Sequence, residues 1–145
     1  MVQTIINNWQ IVVVLLLVAI GVIGFEFSTR RWKRIVQEKL RSRPQLSSEE
    51  FGKAFFGETA NRASIAKELR EILARHLPIS IDGLQPEDKF QDTLKMEVFD
   101  SLSTIEVVME MEERFAIKLL NDNELKSDMT FRQLVDYIEH RVAGR

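Results

Sequence analysis

Asp100-Ser101-Leu102 stands at the head of the patterned, acidic stretch DSLSTIEVVMEMEERF. An aspartate before the first turn can cap a helix through its side-chain oxygen, leaving the next residue's hydroxyl facing solvent. Two uses suit such a serine: it belongs to the helix start alone, or its hydroxyl is where a group is attached after translation. Other chemistry has little to work with. The chain has no cysteine, which removes disulfides and thiolate metal sites. His76 and His140 are the only histidines, and nothing near either resembles a ligand set. No nucleophile–base pair or convergent acid pair is visible, so the chain does not read as an enzyme. Glu106, Glu110 and Glu113 come after the serine at i, i+4 and i+7. They form one charged face, either a recognition surface or a solvated helix side.

The elements that must position these residues are helical. Residues 101–115 predict a helix with Leu102, Ile105, Val108, Met109 and Phe115 inward. Before it, Ile65, Leu69, Ile72, Leu73 and Leu77 form a stripe over 62–77, closed by Pro78. Residues 78–99 carry Pro, Gly and Asp punctuation and no helical period. They predict a long loop anchored by Ile81, Leu84, Phe90 and Leu94. Ser47 with Glu50, and Thr130 with Gln133, have the spacing of capping boxes. The first opens a short helix whose Phe51, Ala54 and Phe55 share a face that either packs on the domain beyond it, the preferred reading, or docks a partner. The second opens a closing helix with Phe131, Leu134, Val135, Ile138 and Val142 on one stripe, after a short turn near Asn123–Lys126. No strand pattern competes, and the fold class is all-α.

The 145 residues suffice for one small domain with accessories. Charge is unevenly placed along them. Residues 26–43 hold seven basic side chains against two acidic ones, leaving 13 basic and 20 acidic residues beyond, from totals of 20 and 22. A basic collar precedes an acidic body. Ahead of the collar, IVVVLLLVAIGVIGF runs from Ile11 to Phe25 without charge, extendable to Ile5 and bracketed by Trp9 and Trp32. About 20 apolar residues match a hydrocarbon core of roughly 30 Å. A cleaved signal peptide is the rival reading. The absence of positive charge in residues 1–8, and the Arg/Lys cluster just after the run, oppose it. The expectation is a transmembrane anchor over 1–29, with its N-terminus outside, a basic juxtamembrane and linker segment over 30–60, and a cytoplasmic domain over 61–145 at a bacterial inner membrane. The bilayer is then a partner.

The order of helices, with Asp-Ser-Leu opening the second long one, resembles the acyl carrier protein family. The similarity covers about residues 62–143. DSLSTIEVVMEMEERFAIKL, the acidic turn NDNEL and the closing TFRQLVDYIEHRV carry it most strongly. The resemblance implies a small four-helix bundle, and 4'-phosphopantetheine bound covalently to Ser101 with Asp100 and Leu102 framing it. It implies an acyl or aminoacyl group carried as a thioester on that arm, and a phosphopantetheinyl transferase with acyl-loading and acyl-accepting enzymes as partners. Glu106, Glu110 and Glu113 become the surface that partners read, and Ile105, Val108, Met109, Val135 and Ile138 the lining for an acyl chain. The chain departs from the family's usual pattern at Val98-Phe99, ahead of the motif, and at Ser103 and Arg114. The alternative is an unmodified adaptor that uses the acidic helix to hold a partner at the membrane. In either reading nucleic acid is no partner.

Overall fold

Ser47 and Thr130 each do what their spacing from Glu50 and Gln133 predicts. Ser47 Oγ accepts from the Glu50 N–H at 3.2 Å while Glu50 Oε2 accepts from the Ser47 N–H at 2.8 Å. Thr130 and Gln133 repeat the exchange at 3.2 and 2.9 Å. Each reciprocal pair satisfies donors that a helix start leaves open. In the computed structural model, residues 2–94, 101–119 and 128–144 are described, without the side chains of 2–10, 23, 25–28 and 101–103. Among them are five helices: α1 (Val2–Arg41), α2 (Ser48–Phe56), α3 (Ala60–His76), α4 (Ser101–Phe115) and α5 (Phe131–Ala143). The expected turn at Asn123–Lys126 lies outside the described residues.

Two units make up the chain, residues 1–35 and 36–145. In the first, the side chains described from Ile11 to Val22 are exposed and apolar. The membrane-spanning helix expected here is not found: among the described residues no helix is long and apolar enough to cross a membrane. The expected single-pass topology, the inward orientation and the bilayer as partner are corrected with it.

In the second unit the core is built from α2, α3, α4 and α5. The α3 stripe is buried as spaced, with Ile65, Leu69, Ile72, Leu73 and Leu77 all under 7 % exposed. Phe131, Leu134, Val135 and Ile138 of α5 are buried with it. Phe51 and Phe56 of α2 are fully buried and meet Phe131 at ring centroid distances of 5.2 and 6.0 Å, the former edge to face. The short helix therefore packs on the bundle, but through Phe51, Gly52 and Phe56; Ala54, expected on the packing face, is exposed and Phe55 is half-buried. Gly52 lets α2 cross α3 closely, since a Cβ there would lie 2.7 Å from the Ala63 carbonyl oxygen.

Residues 77–94 form the loop the punctuation predicts, pinned by Ile81, Leu84 and Leu94, all buried, with Phe90 half-buried. Its far side is stitched to the start of α5. Phe131 N–H donates to the Asp88 carbonyl at 3.0 Å and Arg132 N–H to the Pro86 carbonyl at 2.8 Å. Residues 36–58 belong to this unit too, with Val36, Leu40, Phe51 and Phe56 buried in it.

Candidate functional site

Ser101 is the first residue of α4, a 15-residue helix. At that position backbone N–H groups have no intrahelical acceptor and the helix dipole is positive, so a phosphate ester formed there meets a favourable field. Ser101 and Leu102 are described in backbone only, and Asp100 lies outside the described residues. With 3.6 residues per turn, positions 101, 105, 108 and 112 fall along one line of the helix.

The core-facing side of α4 differs from the expected one. Val107, Met111 and Phe115 are buried, an i, i+4, i+8 stripe, whereas Ile105 is 46 % and Met109 56 % exposed and Val108 is half-buried. Apolar residues between 102 and 115 surround most of the helix, so periodicity admits more than one inward face. Packing on α3 selects the one containing Val107. Ile105 and Met109 are thereby corrected from core to surface, Ile105 on the line of position 101 and Met109 beside it. Val135 and Ile138 are fully buried core side chains. Met109 lines an open groove of about 900 Å³ on the outside of the bundle, with His76, Glu106 and Ile117 among its other walls.

The three glutamates do not share one environment. Glu106 and Glu113 are exposed. Glu110 is half-buried and accepts hydrogen bonds from the Arg75 guanidinium and the His76 ring at the end of α3. Arg75 above all, then His76, holds the Glu110 carboxyl below its ordinary value. His76 Nδ1 also lies 3.7 Å from Glu106, and Arg114 Nε donates to Glu68 Oε2 at 2.9 Å. These contacts staple α4 to α3 from its middle to its end. Nothing in the spacing of residues signals this partner of Glu110, because the two helices' registers are set only when they pack.

Helix α4 ends at Phe115, and the next residue, Ala116, has a left-handed φ of 50°. The turn there lets Glu112 serve twice: its carbonyl accepts from the Ile117 N–H at 3.1 Å and its Oε1 from the Leu119 N–H at 2.6 Å. Among the described residues no group of histidine and acidic side chains is arranged to hold a metal.

With this geometry, similarity to known proteins becomes specific. The family described as phosphopantetheine attachment site matches residues 67–138, which contain α4 and its first residue. The chain is 33 % identical over 76 residues to an acyl carrier protein of Chlorobium phaeobacteroides, covering 52 % of this chain and 92 % of that protein. It is 33 % identical over 84 residues to the acyl carrier protein of Rubrobacter xylanophilus, covering 57 % and 99 %. With that of Thermosynechococcus vestitus it shares 29 % over 84 residues, covering 58 % and 99 %. No solved structure matches significantly. Domains of this family bear phosphopantetheine, meet a phosphopantetheinyl transferase and acyl-processing enzymes, and are carriers, not catalysts. The chain belongs to the acyl carrier protein family.

Proposed function

We propose that Ser101 is the attachment point for 4'-phosphopantetheine and that the domain delivers an acyl group between acyl-processing enzymes. One observation carries the reading: a serine occupies the first position of a 15-residue helix inside the stretch that matches phosphopantetheine attachment domains. The residues present fit the group, since the first turn of α4 offers free backbone N–H donors to a phosphodiester. The arm supplies the thiol that carries the acyl thioester, which a chain without cysteine lacks. Asp100 and Leu102 flank Ser101 in the sequence and are assigned with it to the attachment motif. Glu106 and Glu113 offer negative charge to basic partner surfaces and steer brief encounters. Ile105 and Met109 present apolar contact beside them. Glu110 acts differently, holding α4 on α3. Val135 and Ile138, with Val108, are the side chains that would meet an acyl chain entering the bundle.

The test is an intact mass of the full chain co-expressed with a broad-specificity phosphopantetheinyl transferase, beside Ser101→Ala. The expected result is gain of one phosphopantetheine by the wild type and none by the variant. A folded wild type that gains nothing with several transferases would overturn the reading and leave an unmodified adaptor using the same acidic helix.

A further inference from the structure

Residues 36–58 lie before residue 67, where the family match begins, yet they are bound to the loop that leads to α4 at four successive points. Gln37 and Ser80 exchange two hydrogen bonds, Nε2 donating to the Ser80 carbonyl at 3.2 Å and Oε1 accepting from its N–H at 2.8 Å. The Leu46 N–H donates to the Asp82 carbonyl at 3.0 Å. Arg43 Nη1 reaches Asp88 Oδ2 at 2.5 Å. Gly83 lies so close to the end of α1 that a Cβ there would sit 1.9 Å from the Leu40 carbonyl oxygen.

Arg70 closes the arrangement from below. It is 1 % exposed and donates to three carbonyls: Leu46 at 2.7 Å from one side, Ile81 at 3.1 Å and Asp82 at 2.7 Å from the other. Its guanidinium lies 4.6 Å from the Phe51 ring centroid. A buried guanidinium with three carbonyl acceptors is costly unless all of them stay in place. One side chain of α3 thus requires both the N-terminal segment and the loop to keep their positions.

Asp88 extends the restraint along the loop. Besides Arg43, it accepts from the Gln85 N–H at 2.8 Å and, through Oδ1, from the Thr93 hydroxyl at 3.3 Å. The residue after Thr93, Leu94, is fully buried. Asp88 thus joins both restraints, its carboxylate bound to Arg43 and its carbonyl to the Phe131 N–H at the start of α5.

We propose that Val36–Phe56 is a clasp that positions the loop before α4, and that Gln37, Arg43 and Arg70 are positioning residues for modification at Ser101. The proposal rests on Ser101 being the attachment point. With the clasp in place the loop from Ser80 to Thr93 is held in one conformation, and a transferase meets a preformed surface. With it loosened the loop samples others, and only the competent fraction is bound, which raises KM in proportion.

The experiment uses the full chain and four variants: Gln37→Ala with Arg43→Ala, Gly83→Ala, the conservative Arg43→Lys, and Lys53→Ala as a control on the exposed side of α2. Transferase kinetics with coenzyme A are read beside far-UV dichroism, a urea midpoint, and amide exchange at Leu84, Asp88 and Thr93. The expected result for the double variant and Gly83→Ala is a KM for the carrier raised about tenfold with kcat unchanged, and faster exchange at the three loop amides. Lys53→Ala should match wild type, and Arg43→Lys should recover most of the Arg43 contribution. Dichroism and midpoint give the folded fraction, so a KM change in a carrier that stays folded is not global unfolding. Unchanged KM and unchanged loop exchange in the double variant would overturn the clasp. If wild type is not loaded, the attachment reading has failed instead, and loop exchange alone decides whether the clasp holds the loop.

Discussion

Glu110 shows how one side chain's partners set its role. As one of three regularly spaced acids it belongs to a charged face, but the Arg75 guanidinium and the His76 ring at the end of α3 bind it there. Hydrogen bonds from Arg75 and then His76 favour the carboxylate, so the folded-state pKa lies below the ordinary value of 4.5. A depressed acid stabilises the fold above its unfolded-state pKa, and that contribution is lost as pH falls through the folded value. The α3–α4 staple should hold at neutral pH and be lost only below about pH 4.5, as Glu110 takes up its proton. Side-chain carboxyl NMR should place the Glu110 midpoint under 4.5 in wild type and closer to it in Arg75→Ala. A wild-type midpoint at or above 4.5 would remove this staple from the account.

Among the elements, α4 is the one whose end is strained. Ala116 takes a left-handed conformation that suits glycine, and side chains with a Cβ reach it at a cost of about 1 kcal/mol. Ala116→Gly relieves that cost while adding freedom to the unfolded chain, so a net gain of roughly 0.5 kcal/mol is expected. A shift of the urea midpoint to higher concentration at constant slope is the signature, and a shift the other way would mean that the Ala116 methyl packs usefully. This strain was not legible in the sequence, where alanine at 116 reads as helix former. The α3 stripe and the boxes at Ser47 and Thr130 were legible, because each depends on residues three or four apart in a single element. The inward face of α4 was not, since apolar residues nearly encircle it. Arg70 escaped for a related reason: a hydrophobic stripe is read past a charged residue beside Leu69, and only the carbonyls of a distant segment make its burial tolerable.

At the scale of the second unit, residues 36–58 and the carrier helices share one core. Phe51 touches Phe55, Phe56 and Phe131 at ring centroid distances of 5.2 to 5.8 Å and lies under Arg70. Truncating it opens a cavity between α2 and α5 and removes the ring from the Arg70 guanidinium. Core Phe→Ala substitutions cost about 3–5 kcal/mol, a large share of the roughly 5–15 kcal/mol that holds a domain together. If α2 were an appendage, Phe51→Ala would release it and leave the rest at full stability. If the core is shared, α2 and α3 lose protection together. Native-state amide exchange of the full chain separates the two cases. In wild type, the Phe51 N–H, bonded to the Ser47 carbonyl at 2.9 Å, should open with the same free energy as the buried middle of α3. In Phe51→Ala, the α3 amides should lose about 3 kcal/mol or more of protection. Full protection of α3 in that variant would mean that the N-terminal segment comes off without unfolding the carrier, and the clasp would then be a detachable strap.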